Sequence, residues 1–265
     1  MEILFNDSEH KYYVKGTKKT FESVSRVLGH IKPKFADSPE QYLKKATEYF
    51  DKYKDNPKKP AKWDSSWKSG EDVANGWELK NKIITARGTK YHAIREREDI
   101  ANGAFTHKLS SNGDKQGFTV EEIKNLKPGI YTELIIPNFN NWVIGQIDKV
   151  EIFDDKTFFI SDYKTNDDLQ VVPVKYYRPE LGYKEYEYFY PPVSHMINTK
   201  FNFYQLQLSM YSLFLESLGY TFKGGRIDHV IFDDNDEVIR IDEYPITYYK
   251  DEVKSILTSF KLNKA

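Results

Sequence analysis

From residue 129 to residue 164 the chain carries three apolar-rich stretches, about 130–137, 142–152 and 157–164, separated by turn-forming residues. Pro137 with Asn138–Asn141 divides the first pair, and Asp154-Asp155-Lys156 divides the second. Their Ile, Val, Phe and Tyr content predicts three successive strands. Elsewhere the spacing turns helical. A short helix is expected from Ser23 to Gly29, a longer one from Glu40 to Tyr53 broken by Asn56–Pro60, and one from Glu71 to about Ala101. Gly76 and Gly88 are the weak points of that last helix. Thr119-Val-Glu-Glu122 resembles a capping box opening a short helix before Pro128. An amphipathic helix is expected from Phe201 to about Leu218, stopped by Gly219, and a final one from Thr247 to about Leu262. Residues 1–20 read as a hairpin around the polar stretch Asn6–Lys11, and 226–233 with 237–243 as another. Residues 166–199, rich in Tyr and Pro without a period, read as a long ordered loop of the kind that is often functional.

The strands bring chemistry together. Asp162 and Lys164 are two apart on a strand and so share a face. If Asp154, Asp155 and Lys156 all form the loop, Asp148 lies opposite Asp162, and opposed residues share a face. Two carboxylates and an amine would then project from one sheet. Hard oxygen ligands of this kind suit Mg2+, and a neighbouring lysine can orient the attacking water or balance charge on a phosphate. Read alone, Asp-x-Lys is more often a salt bridge on a solvated face. The apolar run Phe158-Phe159-Ile160 ahead of it points to burial instead, where charges must be paired or metal-bound.

Three further patterns admit both a functional and a structural reading. His92 and Glu96 are four apart on the helix expected from Glu71 and share a face; an imidazole suits Mn2+ better than Mg2+ and is compatible with either, while a plain surface helix is the alternative. Tyr204, Gln207 and Tyr211 form a polar stripe beside Leu206, Met210 and Leu213, either offered to a nucleic-acid backbone or edging a core helix. From Lys44 to Lys68, lysines including Lys58 and Lys59 interleave with Tyr49, Phe50, Tyr53, Trp63 and Trp67. Cations that follow phosphates beside rings that stack on bases describe a single-strand path; a solvated lysine-rich helix describes the same letters.

Composition narrows the classes. A hydrophobic content of 39 % over 265 residues supports a sizeable core, and a net charge of −1 confines any nucleic-acid surface to a local patch. Without cysteine there are no disulfides, thiolate zinc sites or iron–sulfur clusters. No apolar run approaches membrane-spanning length, and the first residues lack a signal-peptide pattern. The expectation is a soluble, cytoplasmic protein of a bacterial cell or phage-infected host, with no membrane partner.

In order along the chain, Gly88-x-x-x-His92-x-x-x-Glu96, a Glu133-bearing strand, Gly145-Gln-Ile-Asp148, Asp162-Tyr-Lys164 and Gln207-x-x-x-Tyr211 resemble the PD-(D/E)XK nuclease superfamily, in its RecB-like branch of phage-type exonucleases. Ser23-Val-Ser-Arg-Val27-Leu28 and Pro191-Pro192-Val-Ser-His195 add to the likeness, which covers roughly residues 20–220. Ile147 stands where the superfamily's proline would be, and the cysteines of the branch's cluster-bearing members are absent. The resemblance implies an α/β fold with a restriction-endonuclease-like core, a mixed central β-sheet flanked by helices. It implies a helical arch or cap within residues 1–86 and a nuclease core over 87–265. His92, Asp148, Asp162 and the carbonyl of Tyr163 would hold Mg2+ or Mn2+, Lys164 would be the catalytic lysine, and Glu133 would join the metal or orient Lys164. Gln207 and Tyr211 would contact DNA or support the site, and Glu96 matches less securely. The expected activity is exonucleolytic cleavage of DNA from free, single-stranded ends in replication, repair or recombination. A structure-specific endonuclease and a non-cleaving DNA-end-binding protein are the alternatives.

Overall fold

The computed structural model describes residues 2–6, 9, 11–60, 62–110, 113–178, 182–233 and 235–262. Its strands are β1 (Ile3–Asn6), β2 (Lys11–Val14), β3 (Glu22–Ser23), β4 (Lys108–Leu109), β5 (Lys115–Gln116), β6 (Gly129–Asn138), β7 (Val143–Ile152), β8 (Thr157–Lys164), β9 (Tyr176–Arg178), β10 (Tyr183–Glu185), β11 (Thr221–Phe232) and β12 (Val238–Pro245). The helices are α1 (Val24–Gly29), α2 (Pro39–Tyr53), α3 (Gly70–Ala101), α4 (Val120–Lys124), α5 (Lys200–Ser217) and α6 (Lys250–Leu262). Asp7, Ser8 and His10 of the expected first turn, and residues 179–181 of the expected long loop, lie outside the described residues.

The architecture is α/β, with a mixed sheet flanked by helices. Six strands run in the order β12-β11-β8-β7-β3, with β6 on the other edge of β7. The β6–β7–β8 meander is antiparallel, whereas β8 and β11 are parallel and joined through α5. The turn between β7 and β8 is the three-residue loop expected. Phe153 and Thr157 close it, and Lys156 takes φ +59°, the left-handed residue that such hairpins require. β11 begins at Thr221, earlier than the sequence suggests, because Gly224-Gly225 hides the strand signal. The expected loop 166–199 contains the small β9–β10 hairpin.

Caps form where the sequence places them. Ser23 and Thr119 accept from backbone N–H groups three residues on, and the Thr119–Glu122 box closes reciprocally. Helix α5 departs from expectation. It is buried almost all round from Gln205 to Leu215, so it is a central helix and not an amphipathic surface one. Its polar residues are satisfied internally. Gln205 Oε1 accepts the Thr247 N–H at 2.8 Å, Ser209 Oγ accepts the Tyr249 N–H at 3.0 Å, and Ser212 donates to the Leu208 carbonyl.

The chain divides into two compact units, Met1–Lys32 with Tyr91–Ala265, and Pro33–Lys90. The expected boundary at residue 86 therefore shifts. Residues 1–32 fold with the larger unit because β1 pairs with β5 and β3 with β7. In the smaller unit an aromatic cluster forms the core. Trp63 lies against Tyr49, Phe50 and Trp67, and Trp77 meets Phe35, Tyr42 and Tyr49. Gly76 is no weak point there: a Cβ on it would sit 2.8 Å from the Trp67 ring, so glycine is what admits that ring. Among the described residues no helix is long and apolar enough to cross a membrane.

Candidate metal and catalytic site

The site forms where three strands meet in one row. Thr132 pairs with Lys149 and Leu134 with Ile147, which sets Glu133 across from Asp148. Lys149 pairs with Ser161, so the next step of the same register sets Asp148 beside Asp162. The row is irregular in a way that serves the side chains. Glu133 has φ +52°, a conformation a non-glycine residue adopts at a cost of order 1–3 kcal/mol. At this row both strands lose their two-residue alternation. Tyr131 and Leu134 on β6, and Ile147 and Val150 on β7, all enter the same core although each pair is three residues apart.

The neighbouring edge of β7 is also open here. It pairs with β8 over Lys149–Ile152 and with β3 at Val143 and Ile144. At the splayed position the Tyr163 backbone N–H donates to Asp148 Oδ2 at 2.9 Å, so a carboxylate is drawn into the sheet.

His92, on the part of α3 within the larger unit, brings Nδ1 to 3.3 Å from Asp148 Oδ2. One ligand atom each from His92, Glu133 and Asp148 lie within 4.8 Å of one another. Gln146 Nε2 donates to Glu133 Oε2, and Tyr12 OH donates to Gln146 Oε1 at 2.9 Å. Asp162 is 2 % exposed and falls outside that trio, ion-paired through Oδ2 with the Lys164 amine. Asp162 Oδ2 is buried, and the Lys164 amine is its one partner among the described residues. Lys164 Nζ also lies 4.5 Å from the centre of the Tyr204 ring.

The electrostatics are those of a crowded anionic centre. Burial pushes the Glu133 carboxyl up to about 7, helped by the Asp148 charge. Burial likewise pushes Asp162 up to about 6, again with Asp148 adding to it. For Asp148 burial acts upward, but His92 and Lys164 outweigh it and hold the group below the usual carboxylate range. Burial works against the charged His92 imidazole, yet Asp148 overrides it and raises the group to about 9. Lys164 stays protonated, since Asp162 and Asp148 outweigh its burial. Two carboxylates and an imidazole whose crowding favours bound protons, beside a third buried carboxylate, fit a hard divalent cation.

The sequence-derived residues thus separate into groups. Glu133, His92 and Asp148 converge, with Asp162 and Lys164 adjoining. The backbone N–H of Tyr163 holds Asp148, and its ring lies against Tyr91 and Arg95 with the His92 ring edge-on to it. Glu96 lies 3.8 Å from His107, and its charge helps raise Glu133. Gln207 and Tyr211 are buried; Gln207 Nε2 donates to Tyr211 OH at 2.8 Å and Ser25 Oγ at 3.3 Å. The Tyr211 ring lies so close to Gly145 that a Cβ there would be 2.2 Å from it. Both are accordingly supports of the sheet behind the carboxylates. Trp63 and Trp67 are half-buried in the smaller unit's own core, and Lys59 sits 4.7 Å over Trp63, so these rings are structural as they stand. Lys58 is exposed, its backbone N–H bound to Asn56. Sequence reasoning missed Gln146, although it lies inside Gly145-Gln-Ile-Asp148, and Tyr12, for which no local signal exists.

Neither a protein-family model nor a curated protein matches the sequence. A solved structure titled "Crystal structure of SSO0001" aligns over 96 % of this chain and 79 % of its own, at 13 % identity and a TM-score of 0.38. At that level of likeness it carries no inference about this chain.

Proposed function

We propose that this protein is a Mg2+- or Mn2+-dependent deoxyribonuclease that hydrolyses phosphodiester bonds. The observation that carries the reading is the convergence of His92, Glu133 and Asp148 with the Asp162–Lys164 pair alongside. Its agreement with the resemblance to PD-(D/E)XK nucleases supports it further. His92, Glu133 and Asp148 would hold the ion, with Asp162 as the adjoining carboxylate. A bound divalent ion would polarise the scissile phosphate and lower the pKa of a water.

The protein's own groups do the rest. The Tyr163 N–H and His92 fix the Asp148 carboxylate, and Gln146 fixes Glu133. Lys164, held charged, is placed to balance negative charge developing on phosphate oxygens and to orient water. In that state it is not a general base. The exonuclease reading, with cleavage from free ends, rests on the resemblance.

Digestion of end-labelled linear DNA beside closed circular single-stranded DNA, with Mg2+, Mn2+ or chelator, tests the reading. Metal-dependent shortening of the linear DNA alone is expected. Cutting of circles would turn it to an endonuclease, and binding to ends without cleavage would leave an end-binding protein.

A further inference from the structure

We infer that Tyr204 is a positioning residue for Lys164, holding its amine against Asp162 through the face of an aromatic ring. This deepens the nuclease reading and rests on it for its kinetic arm only.

Lys164 is the last residue of β8, and pairing of its backbone leaves its long side chain free to take several rotamers. Two contacts fix it. On one side is the Asp162 carboxylate; on the other is the Tyr204 ring, 4.5 Å from the amine. A cation over a ring face in a desolvated setting is held more strongly than at the surface. The ring is itself clamped. Tyr204 OH donates to Asn166 Oδ1 at 2.7 Å, and Asn166 follows Lys164 by two residues. The Asn166 carbonyl accepts from His229 Nε2 at 2.6 Å, which fixes that imidazole's tautomer. His229 is the parallel-strand partner of Lys164 on β11. The chain of contacts therefore closes on itself: Lys164, Tyr204, Asn166, His229 and back to Lys164 through the sheet. Tyr204 gives its hydroxyl to Asn166 and not to Asp162, so what it offers this pair is its ring, against the amine.

Two variants separate ring from phenol. Tyr204→Phe keeps the ring and loses the bond to Asn166; Tyr204→Leu removes the ring, with Tyr204→Met as the replacement should Leu fail to fold. For Leu or Met, kcat should fall by about 10–100-fold, as for a misplaced catalytic group, with KM within about twofold of wild type because no substrate contact is removed. Phe should restore most of kcat. A Leu or Met variant with wild-type kcat, or a Phe variant as impaired as Leu, overturns the proposal.

The second arm needs no activity. The Lys164 ε-methylene protons, assigned by comparison with Lys164→Arg, should show an upfield ring-current shift in wild type and Tyr204→Phe. That shift should vanish in Tyr204→Leu or Tyr204→Met. Its absence from wild type overturns the proposal. Wild-type protein that shows the shift but cuts no DNA under any metal overturns the nuclease reading and leaves the positioning inference standing.

Discussion

Glu133 and Asp148 face each other across β6 and β7 in the row where both strands lose alternation, and Glu133 adopts φ +52° to do so. Two buried carboxylates held opposite each other repel; His92 and Lys164 keep Asp148 ionised, whereas at Glu133 the Lys115 charge does not offset burial and the Asp148 charge. Glu133 is kept protonated near neutrality by burial and by its neighbour. Such an arrangement lowers stability and makes sense where an external cation completes it.

Glu133→Gln should therefore stabilise the metal-free protein. A carboxyl whose folded pKa is raised from 4.5 to about 7 binds extra protons when folded, so its penalty grows between those pH values. Above pH 7 the variant should gain about 1–3 kcal/mol over wild type, and the gain should vanish below about pH 4.5. With saturating Mn2+ the order should reverse. Thermal melts across pH, with and without Mn2+, give the answer; a variant less stable than wild type without metal at pH 8 contradicts it.

His92 has the same sign and a different window. Its raised value, about 9 against 6.5, means the His92–Asp148 pair stabilises the metal-free fold fully below about pH 6.5 and is lost as pH rises through about 9. A metal must displace that proton, so affinity should rise with pH across this range. Calorimetry at pH 7 in buffers of differing ionisation enthalpy should register release of about 1.5 protons per ion bound, about one from His92 and about half from Glu133. Release of about half a proton or less would remove His92 from the ligand set.

Gly145→Ala should lower stability by about 1–3 kcal/mol, as overpacking does, because the added carbon would lie 2.2 Å from the Tyr211 ring. Chemical denaturation measures this. An unchanged midpoint would mean the helix is free to draw back, and that Tyr211 does not brace the strand.

Trp63→Ala should act on structure before it acts on binding. The ring belongs to the smaller unit's core, so the cost expected is about 2–4 kcal/mol, toward the lower end for large-to-small changes in cores. Limited proteolysis within residues 33–90 should report it. A fully protected variant that has lost affinity for single-stranded DNA would restore the sequence-based reading of an open stacking path.

Much of this was legible in the residues. The Asp154-Asp155-Lys156 turn fixes the β7–β8 register, and with it the meeting of Asp148 and Asp162. The capping residues and the helix carrying His92 were equally plain. Glu133 was legible as an acidic residue on the right strand. Its place in the His92–Asp148 trio was not, because a left-handed residue inside an apolar strand has no sequence signature. For Gln207 and Tyr211 the residues left open both a nucleic-acid contact and a supporting place on a core helix, and for the two tryptophans both a stacking path and a plain lysine-rich helix: polar and aromatic side chains look alike in sequence whether they face solvent or a neighbouring helix, and tertiary packing alone decides.

The most direct test of the central claim is single-turnover cleavage of end-labelled single-stranded DNA by wild type and Asp148→Asn, with Mn2+ and with chelator. The account predicts cutting by wild type with Mn2+, none with chelator, and at least about a 100-fold loss in the folded variant, consistent with removal of a group that acts in the transition state. Undiminished cleavage by Asp148→Asn, or cleavage by wild type that persists in chelator, would contradict it.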